Sequence, residues 1–140
     1  MKKIFLLFFL IVFSSCKKEV SKKNVIVENK VVKQSEMAAL MLTMYTTNLE
    51  NKKMILEGES PTNYPKDFSK IYSATLTDST DRNASFNAFS DFYLYTLKKV
   101  YNAPKDSLKI YHNNTVNSCI SCHETTCIGP IPRIKKLLIQ

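Results

Sequence analysis

Residues 107–127, SLKIYHNNTVNSCISCHETTC, carry the pattern on which the predicted fold rests. Residues on one side of this stretch recur near the 3.6-residue period of an α-helix. They are Leu108, Tyr111, Val116, Cys119, Ile120 and His123. Residues 105–107, just before these positions, are typical of the start of a helix. Pro130 and Pro132, which follow them, cannot continue a helix. The sequence therefore predicts a helix from about residue 105 that ends before the proline-containing tail.

Three further helices are predicted upstream of this one. The first begins at the capping residue Ser35 and ends at Gly58, with breakers after it. Its stripe contains Met37, Leu40, Met41, Met44, Asn48 and Ile55. A short second helix is expected at about 66–75, and a third at about 81–102, before Pro104. Four helices with short connections indicate an all-α protein, an antiparallel four-helix bundle over residues 34–140.

The first fifteen residues have the pattern of a secretory signal. A charged start is followed by an unbroken apolar run, residues 4–13, which is too short to span a bilayer. The ending Phe-Ser-Ser-Cys resembles the lipobox of bacterial lipoproteins. By that resemblance residues 1–15 are removed and Cys16 becomes the lipidated first residue, which anchors the protein to a membrane outside the cytoplasm. The alternative is an ordinary cleaved signal with an incidental cysteine.

The formal net charge of +8 is concentrated near the amino terminus. Residues 17–33 contain six Lys and two Glu, whereas residues 34–140 contain 12 basic and 10 acidic residues. We therefore interpret residues 16–33 as a solvated Lys-rich tether and expect no nucleic-acid partner. Because the chain has only two glycines, glycine-rich phosphate loops and the dinucleotide fingerprint are excluded.

The most specific motif is Cys119-Ile-Ser-Cys122-His123. The C-x-x-C-H spacing is the attachment signature of a c-type haem. Two thiols three residues apart on one helical turn can each form a thioether to a haem vinyl group, and His123 can then ligate the iron. The sequence thus predicts one covalent haem c, bound through Cys119, Cys122 and His123, near the end of the last helix. The export predicted from residues 1–15 agrees with a covalent haem, because haem c is attached outside the cytoplasm.

The cysteines and histidines allow other interpretations. A zinc site of Cys119, Cys122, His123 and Cys127 is allowed by ligand count, although adjacent ligands suit a closed tetrahedral site poorly. A thioredoxin-like redox pair lacks its βαβ context.

Because His112 lies about 16 Å from His123 along one helix, it cannot ligate the same iron, and we expect it at the surface or an edge. Cys127 is expected to be a small buried side chain.

A second axial ligand would have to come from upstream, since no methionine follows His123. Met37, Met41 and Met44 fall within about 60° of one another on the first helix. A methionine thioether is a natural axial ligand that raises the reduction potential. The alternative is that these methionines fill the core.

A C-x-x-C-H in the last helix of a four-helix bundle resembles the class II c-type cytochromes, which include cytochrome c-prime. The resemblance covers about residues 35–127. It implies that Cys119 and Cys122 bind haem covalently and that His123 is the proximal ligand. It places the residue facing the iron within one position of Met41, with Met44 and Met37 as substitutes. Residues 126 and 127 and the tail depart from the family pattern.

These features predict a non-enzymatic, lipid-anchored monohaem cytochrome that carries single electrons outside the cytoplasm. Its expected location is the periplasm-facing or outer membrane, and its expected partners are redox proteins and the membrane. A homodimer is left open. The alternative is a five-coordinate haem protein that binds nitric oxide or a similar gas in an apolar pocket of Leu40, Met41 and Met44.

Overall fold

The computed structural model describes residues 33–140, and all regular elements in that part of the chain are helical. The α-helices are α1 (Glu36–Leu56), α2 (Ala84–Val100), α3 (Leu108–Thr125) and the single turn α4 (Ile131–Ile134). Short 3-10 helices occupy Lys66–Tyr72, Ser79–Asp81, Lys105–Ser107 and Lys135–Leu137. The predicted all-α class is confirmed for the described residues.

The predicted signal peptide, the lipidated Cys16 and the tether up to residue 32 lie outside the described residues. Between residues 33 and 140, no helix is long and apolar enough to cross a membrane.

The long helices begin and end close to where the sequence predicts. The Ser35 side chain accepts a hydrogen bond from the Ala38 amide at 3.1 Å and caps α1. Gly58 follows α1 in the left-handed conformation, with φ of +76°, where a Cβ would be strained. The predicted second helix is instead a seven-residue 3-10 helix. It begins directly after Pro65, and runs of 3-10 helix are normally short.

Two apolar clusters form the core. The larger joins α1, α2 and the first 3-10 helix through Met37, Met44, Phe68, Ile71, Ala74, Phe86, Tyr93 and Leu97. The smaller joins α3 to the carboxyl-terminal segment through Val116, Ile120, Ile134 and Leu137. Cys119 packs against both clusters. The first half of the haem motif therefore lies where the two parts of the core meet.

The carboxyl-terminal segment, residues 128–140, packs back along α3. Asn113 makes a reciprocal pair with Ile139: its Nδ2 donates to the Ile139 carbonyl and its Oδ1 accepts from the Ile139 amide, both at 2.9 Å. Lys52 on α1 donates to the carbonyls of Lys136 and Leu138 at 2.9 and 2.8 Å. These bonds satisfy backbone groups that no sheet or long helix would satisfy. We call residues 128–140 the tail.

The structure corrects the prediction for His112, which is fully buried rather than at a surface or an edge. Its Nε2 lies 2.9 Å from the carbonyl oxygen of Leu137. The tail covers the face of α3 that carries His112, so the ring is shielded from solvent by residues far from it in the sequence. Its Nδ1 has no hydrogen-bond partner among the described residues. Burial lowers the pKa of His112 below its usual value, and the positive charge of Lys52 acts in the same direction.

Replacing Asn113 with Ala should lower the free energy of unfolding by about 1–3 kcal/mol, because two backbone groups of the tail lose their partner. Urea denaturation of the purified chain measures this change. The matched control is Asn114→Ala, one residue along α3, where the side chain is exposed. Equal unfolding midpoints for the two variants would contradict a latching role for Asn113.

Acid should weaken the fold through His112. Because its folded pKa is lowered, the unfolded chain takes up the proton at higher pH than the folded chain does. The stabilising contribution is complete above the unfolded pKa of about 6.5 and is lost as the pH falls below it. Denaturation midpoints of the natural chain and of His112→Gln, measured between pH 7.5 and 5, should show a shallower decline for the variant. Parallel declines would rule out His112 as the source.

Candidate functional site

A cavity of about 540 Å³ lies where the starts of α1 and α2 meet the end of α3. Its wall is mostly apolar and includes Met37, Ala38, Met41, Leu42, Tyr45, Leu76, Phe86, Pro130 and Ile134. Cys122 and His123 also line it, as do Cys127 and Arg133. The second half of the haem motif and two of the predicted methionines therefore share one cavity of the size that holds small ligands and cofactors.

The loop between the first 3-10 helix and α2 forms one side of this cavity and is tied to the start of α1. The Glu36 carboxylate accepts hydrogen bonds from the amide and the hydroxyl of Thr75, each at 2.9 Å. These two bonds lower the pKa of Glu36. Ser35 and Thr77 also join through their hydroxyls at 2.9 Å. Residues 76 and 77 are thus held against the cavity by side chains at the helix start.

Arg82 fastens the same loop from its other end. Its guanidinium donates to the carbonyls of Tyr72 and Ala74 at 2.6 Å, and it lies 5.3 Å from the centre of the Phe86 ring. A planar guanidinium suits this role because it can bind several carbonyls while its face rests on an aromatic ring.

His123 is oriented by a backbone group that follows α3. Its Nδ1 lies 2.8 Å from the carbonyl oxygen of Cys127. A carbonyl can only accept, so Nδ1 carries the hydrogen and Nε2 of the neutral ring holds a lone pair. Metal-ligating histidines use the same arrangement, in which a carbonyl fixes the tautomer and the ring orientation. The imidazole is thus prepared to ligate a metal through Nε2.

The three cysteines of the described region occupy different environments. Burial raises the pKa of the Cys119 thiol to about 12 and also raises the pKa of Cys122. Both of these thiols are partly buried, and of the two only that of Cys122 lines the cavity. The prediction that Cys127 is buried is wrong, because α3 ends at Thr125 and residue 127 lies exposed in the turn beyond it.

The predicted methionines are divided between the cavity and the core. Met37 and Met41 line the cavity, and Met37 is also buried in the larger cluster. Met44 is buried in that cluster and does not line the cavity, and Leu40 packs against the cluster as well. Of the three predicted candidates for an axial ligand, the structure therefore brings Met41 and Met37 to the side of the cavity that α1 forms.

The zinc alternative receives no support from the side-chain geometry. Within residues 33–140, no group of three or more His, Cys, Asp or Glu side chains is arranged to hold a metal ion. The Cys119 thiol packs between the core clusters, whereas the Cys127 side chain is exposed.

The donor set and the cavity fit a haem. A porphyrin needs an apolar slot, a nitrogen donor for the iron and, for haem c, adjacent thiols. At the cavity the described residues place the apolar wall, the His123 imidazole and one thiol of the motif, that of Cys122, whereas Cys119 packs against the core clusters. Cys119 would join through its place one helical turn before Cys122.

The comparisons with known proteins add no relative: no family model matches the chain, and no curated protein and no solved structure is detectably similar to it.

The tail contributes to the site, which the sequence pattern did not predict. Pro130, Arg133 and Ile134 line the cavity, and the Arg133 guanidinium lies 4.1 Å from the centre of the Tyr45 ring. A signal was present, because Ile131, Ile134 and Leu138 recur at helical spacing. The two prolines obscured it.

In protein that carries no haem, the thiols of the three described cysteines should react with iodoacetamide in the order Cys127, Cys122, Cys119. The exposed thiol is accessible, whereas burial hinders Cys119 and disfavours its reactive thiolate. Peptide mass spectrometry over a time course at pH 8 gives the rate at each cysteine. The same labelling in urea is the control, because unfolding should bring the three rates together. Fast modification of Cys119 in the folded chain would contradict its placement.

Proposed function

We propose that this chain is a membrane-anchored monohaem c-type cytochrome of the class II kind, which carries single electrons outside the cytoplasm. The observation that supports this most is the His123 ring, whose Nδ1 is bound to the Cys127 carbonyl while the ring lines an apolar cavity beside Cys122. That is the arrangement expected of the proximal ligand in a C-x-x-C-H motif.

In this proposal Cys119 and Cys122 hold haem c through thioethers, and His123 ligates the iron. The bound haem supplies one-electron redox chemistry. The residues of the chain exclude water, orient the imidazole and set the reduction potential. An apolar wall disfavours the extra positive charge of the ferric state, and a thioether ligand raises the potential further.

Met41 is the proposed second axial ligand. It lines the cavity from the second turn of α1 and is less buried than Met37 or Met44, which belong to the packed core. Its long unbranched side chain is flexible, which would let its sulfur turn from the edge of the larger cluster toward an iron in the cavity. Met37 is the next choice by position.

The four-helix-bundle architecture and the membrane location belong to the same proposal. Here the first 3-10 helix takes the place of the second bundle helix. The sequence pattern of residues 1–16 supports export and lipidation at Cys16. The near-neutral charge of residues 34–140 favours protein redox partners over nucleic acid. We expect no catalytic activity.

Binding of nitric oxide or a similar gas is the second candidate function. It is favoured by Leu42, Leu76 and Phe86, which line the cavity and offer no hydrogen-bond donor. Such a wall suits a small apolar ligand at a five-coordinate iron. The coordination state of the iron distinguishes the two functions.

Chain matured in a host that attaches haem c should gain the mass of one haem and show a Soret band. In the ferric state it should show the weak sulfur-to-iron charge-transfer band and bind carbon monoxide slowly when reduced. Colourless protein of unchanged mass would falsify the haem proposal. A high-spin spectrum with rapid carbon monoxide binding would favour the gas-binding candidate.

Met41→Leu should abolish the charge-transfer band, lower the reduction potential and speed carbon monoxide binding at least tenfold, because the thioether ligand is lost. The matched control is Met54→Leu, the same change farther along α1 at a residue that does not line the cavity. Loss of the band in Met37→Leu instead would transfer the assignment to Met37.

A further inference from the structure

Arg133 is the only lysine or arginine among the described residues that line the cavity, and the haem motif does not account for it. It lies in α4, ten residues after His123. No carboxylate of the described residues lies within 4.0 Å of its guanidinium, since the ion pairs found there involve other residues. Arg133 is solvent-exposed at the edge of the cavity, so an anionic group that entered the cavity would find its guanidinium there.

The geometry of Arg133 leaves its hydrogen-bonding edge available. The guanidinium lies 4.1 Å from the centre of the Tyr45 ring, which is a close stacking distance. Stacking occupies the flat face of the group, whereas its five N–H donors point outward in the plane. None of these donors has a partner among the described residues. The free edge matches a carboxylate, which arginine binds through two parallel hydrogen bonds.

The tail holds Arg133 in this place. Ile134 and Leu137, which follow it, are buried in the smaller core cluster. Beyond them the reciprocal pair of Asn113 and Ile139 fixes the end of the chain to α3. The backbone beside the cavity is therefore anchored on the carboxyl side of Arg133, and Tyr45 restrains the side chain. A side chain ordered before binding loses less entropy when it binds.

We propose that Arg133 and Tyr45 form a carboxylate site at the edge of the cavity, and that it takes a propionate group of the haem. The inference rests on the proposed function, because the propionates are the anionic groups that a haem brings to an otherwise apolar cavity. Asp81 also lines the cavity and would repel a propionate, so the porphyrin carboxylates should face Arg133 rather than Asp81. No step of electron transfer is assigned to Arg133. It positions the cofactor and compensates its charge.

The test compares reduction potentials of the haem-loaded chain. Arg133→Gln should lower the potential, because an uncompensated carboxylate near the iron stabilises the ferric state. Arg133→Lys should restore most of the potential, since the charge is retained. Lys135→Gln is the matched control: it removes one positive charge two residues away, at an exposed position that does not line the cavity. The potentials should be measured at low and at high ionic strength, and the effect of Arg133→Gln should exceed that of Lys135→Gln at both.

Equal potentials for Arg133→Gln and Lys135→Gln would overturn the carboxylate site. So would an equal loss in Arg133→Gln and Arg133→Lys, which would indicate that stacking on Tyr45 rather than charge is what matters. If Arg133→Gln loads less haem, the potential is read from the loaded fraction. Failure of the natural chain to load any haem would overturn the proposed function itself and is distinguishable by the absence of a Soret band.

Discussion

The fold depends on the burial of one face of α3 beneath the last residues of the same chain. Val116 and His112 on α3 are fully inaccessible to solvent, and Leu137 and Ile139 of the tail are almost so. The buried face also carries polar groups, and His112 Nε2 and the Asn113 amide find partners in backbone carbonyls and an amide of the tail. Without the tail, an imidazole and an amide would face solvent beside an open apolar groove. The tail is thus a core element rather than an appendage.

The same constraint shapes the candidate site. Once residues 137–139 are fixed to α3, the chain between Thr125 and Ile134 must turn back within a few residues, and this turn carries both the Cys127 carbonyl and Arg133. The carbonyl orients His123, and the turn closes one side of the cavity. Packing far from the motif therefore determines how the imidazole is presented.

The sequence predicted the parts of the molecule that local chemistry determines. Ser35 and Gly58 bound α1 because capping and left-handed backbone are local properties. The C-x-x-C-H motif marked Cys122 and His123, which the structure brings to one cavity. The tail could not be placed, because its burial depends on contacts with residues about 25 positions earlier in the chain. The predictions for His112 and Cys127 failed for that reason: one lies beneath the tail, and the other lies exposed in the turn that leads to it.

The division of the methionines follows from helix geometry and from the loop opposite. Met37 and Met44 are seven residues apart and nearly aligned along α1, so both join the cluster with Phe86 and Tyr93. Met41 is rotated from them, is only partly buried and lines the cavity, which Met37 also reaches. Glu36 and Arg82 bind groups of the loop of residues 74–82, which forms another part of the cavity wall. A stripe of methionines can therefore supply core packing and a free thioether from one helix.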